Sequence, residues 1–193
     1  MDKKWKIIEG GISAPRGFYA SGVKAGIKYK EKYDLALVKS EVPANAAGMF
    51  TRNLVKAHPL VLCEKHLEDG QAQVIVINSG NANACMGKTG DMAALKMAET
   101  TAEGLGIPVK DILVSSTGVI GQELPLDKVL PGIQKAIQEV EMLQNSKDEK
   151  MKTEHARRAA LAIMTTDTVC KEMSLELKCL NGVVRLGIMA KGS

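Results

Sequence analysis

The sequence predicts an α/β (α+β) domain of layered sheets and helices, and three observations carry the prediction. Compact aliphatic runs bounded by polar turn residues read as buried strands, helical apolar stripes lie between and after them, and an alternating segment near the end folds back as a hairpin. The bulk properties agree: 193 residues, 45% hydrophobic and 25% charged, with a mean hydropathy of −0.05, suit a single globular domain over residues 1–193. No segment reaches the ~18 consecutive apolar residues of a membrane span.

Within a stretch rich in Gly, Ser and Ala (residues 7–30), Gly10-Gly11-Ile12-Ser13-Ala14-Pro15-Arg16-Gly17-Phe18 reads as a tight-turning segment before the first strand. Residues 35–38, 74–77 and 112–114 are the buried strands. Asp91 is placed to cap a helix that runs to Glu103 and stops at Gly104, Gly106 and Pro108. Ile133, Ala136, Ile137 and Val140 form an i, i+3, i+4, i+7 stripe on a second helix. The sign-alternating run 147–152 reads as a solvated linker or helix start, ahead of an Ala-rich helix with Ala156, Ala159, Ala160 and Ile163 on one face. Met173, Leu175, Leu177 and Cys179 then alternate with Ser174, Glu176 and Lys178 as in a half-exposed strand. Asn181-Gly182 suits the type I′ turn leading to a return strand at 183–189.

Composition narrows the function. Aromatic residues are 3% of the chain and all fall in its first 50 residues, so the stacking platforms of single-stranded nucleic-acid binding are missing. A net charge of +4 with no basic stripe adds nothing to that reading. Met1-Asp2-Lys3-Lys4-Trp5-Lys6 has no apolar stretch of a secretory signal, which makes the cytoplasm the expected compartment. Cys63, Cys85, Cys170 and Cys179 form no C-x-x-C pair, and His58, His66 and His155 are not at zinc-ligand spacing. Reduced, mostly buried thiols and no metal are expected.

Three segments carry candidate chemistry. In residues 77–89, Ile77-Asn78-Ser79-Gly80-Asn81-Ala82-Asn83-Ala84-Cys85-Met86-Gly87-Lys88-Thr89, the last eight nearly spell a phosphate loop, but Ala82 stands where the loop needs its first Gly. No strand ending in Asp follows to hold Mg²⁺. By itself this reads as a strand-to-helix connection whose asparagines satisfy its own turn. Ser115-Ser116-Thr117-Gly118-Val119-Ile120-Gly121 follows a buried strand, where the Thr117 hydroxyl and Gly118 N–H can serve as an oxyanion hole or simply make an ordinary turn. Ile163-Met164-Thr165-Thr166-Asp167-Thr168 is a hydroxyl cluster at a helix end, which locally reads as capping.

Taken together, residues 10–18, 78–85, 116–121, 162–168 and Gly187-Ile188-Met189-Ala190-Lys191-Gly192-Ser193 resemble the ornithine acetyltransferase family, the bifunctional glutamate N-acetyltransferases of arginine biosynthesis. The resemblance extends along the whole chain, and five ordered matches outweigh the local readings. It implies a layered αββα fold similar to the N-terminal-nucleophile aminopeptidases, and a precursor that cuts itself at an Ala–Thr bond beyond the Lys-Gly-Ser loop. The chain is then similar to the α chain, ending inside that loop, with the nucleophilic Thr at the start of a β chain and an α2β2 assembly. Thr117 and Gly118 are implied as the oxyanion pair, and Lys191 with Thr165 or Thr166 as substrate ligands. The implied substrates are N-acetylornithine, ornithine and glutamate; acetyl-CoA is admitted as a second donor, and no cofactor or metal is called for.

Elementary chemistry fits this. A Thr hydroxyl needs a base, and an N-terminal α-amine with a pKa of about 7.7–8 supplies one within the same residue once the chain is cut. Two other classes stay open here: a nucleotide-binding enzyme using Lys88 and Thr89, and a non-catalytic interaction subunit.

Overall fold

Residues 35–38 are buried because the strand that holds them has helices on both faces. Leu35 and Leu37 point into a cluster with Val74, Val76, Ile112 and Val114, whereas Ala36 and Val38, on the other side of the pleat, meet Ala159, Ala162 and Ile163. The computed structural model describes residues 4–192. Its elements are β1 (Trp5–Ile7), a 3₁₀ turn (Gly11–Ser13), β2 (Phe18–Val23), β3 (Leu35–Asn45), α1 (His58–His66), β4 (Gln71–Asn81), α2 (Gly87–Leu105), β5 (Ile112–Val119), α3 (Leu126–Gln144), α4 (Glu149–Ala162), β6 (Lys171–Cys179) and β7 (Gly182–Ala190). One sheet has the order β2-β3-β4-β5 and the other β1-β6-β7. β4 and β5 run parallel, joined by the α2 crossover; the other pairs are antiparallel.

The four-stranded sheet orders its helices through alternating residues of β2. Ser21 Oγ donates to the Ala136 carbonyl of α3 at 3.0 Å. The next residue, Gly22, faces α4 so closely that a Cβ would lie 2.2 Å from the Arg158 carbonyl oxygen. The expected stripe Ile133, Ala136, Ile137, Val140 is buried on α3, and Ala156, Ala159 and Ala160 are buried on α4. The run 147–152 proves to be a helix start, since Asp148 accepts from the N–H groups of Lys150 and Met151. α1 was not anticipated, and it covers β5. The Cys63 thiol donates to Val114 O at 3.1 Å and accepts from Val114 N at 3.2 Å, while His66 Nδ1 lies 2.7 Å from Ile112 O. These side chains satisfy backbone groups that an edge strand would otherwise expose.

Five expectations are corrected. The glycine segment does not precede the first strand, because its 3₁₀ turn lies between β1 and β2. Asp91 is not a cap: α2 begins at Gly87, and the Asp91 carboxylate is occupied by His58 Nδ1 at 2.7 Å. The hairpin loop is Leu180-Asn181 rather than Asn181-Gly182, with Gly182 already paired to Cys179 and neither loop residue at positive φ. On β6 it is Ser174 that is buried, its Oγ donating to Ile8 O at 2.7 Å, so the apolar side of the alternation faces outward. The cysteines are all free, but only Cys63 is buried; Cys85 and Cys179 are exposed.

That apolar side is continuous. Cross-strand partners share a face, so Trp5 with Leu177, Ile7 with Leu175, Leu175 with Leu186, Leu177 with Val184 and Met173 with Ile188 line one surface of the three-stranded sheet. No helix among the described residues is long and apolar enough to cross a membrane.

Burial pushes the Cys63 thiol pKa up, so in the folded protein Cys63 should resist maleimide while Cys85 and Cys179 react. Cys63→Ala should lower stability by about 1–3 kcal/mol in urea unfolding, because Val114 loses both partners.

Candidate active site

Parallel pairing sets Ser79 beside Thr117 and Gly80 beside Gly118 at the carboxyl ends of β4 and β5, where open parallel strands leave a crevice. The buried Asn78 ties the two strands one step earlier. Its Oδ1 accepts from Ser116 Oγ at 2.6 Å and its Nδ2 donates to Asn81 O at 2.9 Å. Beyond it, Asn81 donates to the carbonyls of Gln122 and Glu123, and Asn83 donates to Gly90 O. These amides are therefore spent on main-chain carbonyls, of the segment itself for Asn78, of α2 for Asn83 and of the loop after β5 for Asn81. The Thr89 hydroxyl likewise donates to Met86 O at 2.8 Å, inside the first turn of α2.

The strand ends open into a cavity of about 480 Å³ that brings together all five residues singled out in the sequence: Thr117, Gly118, Thr165, Thr166 and Lys191. Thr117 is half-buried on β5, and its Oγ1 accepts from Lys191 Nζ at 2.8 Å across 74 residues of sequence. Gly118 has φ +138°, and a Cβ there would lie 2.3 Å from the Gly80 carbonyl carbon, so only glycine fits. Thr165 is half-buried and Thr166 exposed on the segment after α4.

Sequence reasoning missed the wall supplied by the loop ahead of β3, Lys28, Tyr29, Lys32, Tyr33 and Asp34, which lines the cavity together with Ser79 and Gly80 of the segment already singled out. Asp34 shapes it by accepting from the N–H groups of Ala25 at 2.7 Å and Ile27 at 2.6 Å, and burial raises its carboxyl pKa despite those bonds. Lys28 and Lys32 both lie over the Tyr29 ring, 5.3 and 5.1 Å from its centroid. Nothing local separates these lysines from a solvated loop. With Lys191 they give the cavity three ammonium groups against the single carboxylate of Asp34, a field that suits an anionic ligand.

Helices on both faces of one sheet, with a second sheet beside it and a cavity at the strand ends, give this chain the layered α+β architecture of the N-terminal-nucleophile type. The chain belongs to the ArgJ family, which it matches over residues 19–193. It is 42% identical over 191 residues to the arginine biosynthesis bifunctional protein ArgJ of Prochlorococcus marinus strain MIT 9313, covering 98% of this chain and 42% of that protein. It is 48% identical over 188 residues to ArgJ of Caldanaerobacter subterraneus, covering 97% of this chain and 44% of that protein. The chain thus spans less than half the length of these curated relatives. Two crystal structures are similar throughout. The ArgJ protein of Bacillus halodurans has a TM-score of 0.84 at 35% identity, with 98% of this chain and 95% of that chain covered. The ornithine acetyltransferase of Mycobacterium tuberculosis, solved with ornithine, has a TM-score of 0.82 at 36% identity with the same coverage, 98% and 95%.

Gly118→Ala should destabilise the fold by roughly 2–6 kcal/mol, combining positive-φ strain with backbone overpacking. A chemical-denaturation midpoint equal to wild type would show that the β4–β5 ends yield more readily than the geometry indicates.

Proposed function

We propose that this chain is the α subunit of an acetyltransferase that moves an acetyl group from N-acetylornithine to glutamate through an acetyl-Thr ester on a β chain, assembled as α2β2 in the cytoplasm. The observation that carries the reading is the Lys191–Thr117 contact inside the cavity lined by Gly118, Thr165 and Thr166. Three further observations support it. The chain covers 95% of the matched crystal chains but under half of the curated relatives, as expected if the longer polypeptide is cut into two. The apolar face of β1, β6 and β7, uncovered among the described residues, has the character of a surface meant to be stacked by a second sheet. The Mycobacterium tuberculosis relative was solved with ornithine.

In this reading the β-chain Thr, deprotonated by its own α-amine, attacks the acetyl carbonyl. The tetrahedral oxyanion meets the Thr117 hydroxyl and the Gly118 N–H. A hydroxyl has one proton, so an ammonium donating to Thr117 Oγ1 turns that proton away from itself and toward the cavity, and polarises it. Lys191 also places positive charge beside the developing negative charge. Thr165 and Thr166 offer hydroxyls to the substrate's polar end, and the lysine-rich wall draws its carboxylate. Collapse of the intermediate breaks the amide C–N bond, and ornithine leaves with the proton that the α-amine took from the Thr hydroxyl. The glutamate amine then attacks the acetyl-Thr ester through a second oxyanion and returns a proton to the Thr oxygen as it leaves, with acetyl-CoA admitted as an alternative donor. The sequence of steps needs no metal or organic cofactor.

Three measurements test this. Intact mass of the purified protein should show a second polypeptide beginning with Thr. In mature, already cleaved enzyme, Thr117→Ala should lower kcat for acetyl transfer by about 10²–10³ with a smaller effect on KM. Wild-type kcat in that variant would remove Thr117 from the oxyanion hole. Lys191→Met should raise KM for N-acetylornithine or glutamate, or lower kcat; unchanged kinetics with both substrates would make it a surface lysine.

A further inference from the structure

Lys191 lies one residue beyond the last strand, on an exposed segment that would leave a long, flexible side chain free to wander. It is fixed at both neighbours instead. On one side Ala190 pairs with Lys171 in the β6–β7 ladder. On the other side the Gly192 N–H donates to Asp167 Oδ1 at 2.8 Å, and Lys171 Nζ donates both to that same oxygen, at 2.6 Å, and to the Gly192 carbonyl. The second oxygen of Asp167 accepts from the Thr165 N–H at 3.3 Å. The Asp167 side chain is only 1% exposed. Its pKa is held far below the usual carboxylate range by Lys171 first and then by the Gly192 and Thr165 N–H groups, so it stays charged wherever the protein is folded near neutral pH.

We propose that Asp167, with Lys171, is a positioning residue: a single carboxylate that locks the segment carrying Lys191 to the segment carrying Thr165, and so sets the Lys191 ammonium on Thr117. Neither residue lies in contact with the Thr117 hydroxyl. They act through Lys191. A purely structural i, i+4 ion pair would stiffen the loop after α4 without any effect specific to Lys191, and that difference can be measured.

The experiment uses the assembled protein of α and β chains. Its first arm is independent of turnover: limited labelling with an N-hydroxysuccinimide ester, quantified at Lys191 by mass spectrometry against Lys96, an exposed lysine of α2. Asp167→Asn should raise Lys191 labelling by about threefold or more while Lys96 stays constant, because the latched segment opens locally. Lys171→Met should do the same, and it carries both arms if the Asp167 variant does not accumulate. Labelling of Lys191 that matches wild type in the folded variants overturns the proposal.

The second arm rests on the acetyl-transfer reading. Asp167→Asn should raise KM for N-acetylornithine about five- to tenfold in the wild-type background and less than about twofold in the Lys191→Met background, since a positioning residue has nothing left to position there. Equal effects in both backgrounds overturn it. If wild-type protein transfers no acetyl group, the functional reading fails, while the labelling arm still decides the latch.

Discussion

The geometry of the cavity depends on the parallel pairing of β4 and β5, and that pairing is closed by a buried amide. Asn78 is fully shielded from solvent and joins Ser116 on the neighbouring strand to Asn81 at the end of its own strand. A polar side chain is costly to bury without partners, so its hydrogen bonds favour this register over one slipped by a residue. Correct register is what sets Gly80 beside Gly118 and leaves Thr117 at the rim. A slip would turn Thr117 to the other face and bring a side chain against backbone where only glycine fits.

The same sheet explains why the cavity has two unlike walls. One wall is a strand end, stiffened by the ladder and by α1, whose Cys63 and His66 satisfy β5 backbone groups. The opposite wall is a loop held by Asp34, whose buried carboxylate gathers the Ala25 and Ile27 N–H groups and so presents Lys28 and Lys32. Main-chain groups held by the strand ladder face ammonium groups carried on a loop. That division places fixed main-chain groups on one side of the cavity and positive charge on the other.

Much of the fold was legible in the sequence. The stripes on α3 and α4, the aliphatic cores of β3, β4 and β5 and the Gly106 stop of α2 all follow from local periodicity and turn chemistry. The errors have physical causes of their own. β2 contains Ser21 and Gly22, weak strand formers selected because α3 and α4 approach from opposite faces. Asp91 looked like a cap because its competing partner, His58, is 33 residues away. Alternation marked β6 as half-exposed without saying which side is covered; its polar Ser174 faces inward to Ile8, and the apolar side has no cover among the described residues.

By itself the sequence determined which residues carry the motifs and which elements hold them, because periodicity, turn chemistry and the ordered family-like segments are properties of neighbours in the chain. It named Thr117, Gly118, Thr165, Thr166 and Lys191 without saying how they meet. Only the tertiary structure decided that Lys191 rests on Thr117 over 74 residues of chain, that Asp167 reaches Gly192 over 25, and that the loop of Lys28 and Lys32 closes the same cavity. The reason is that hydrogen bonds act over about 3 Å and depend on direction. Which donors come within that reach is set by packing across the whole fold, and no local pattern records it.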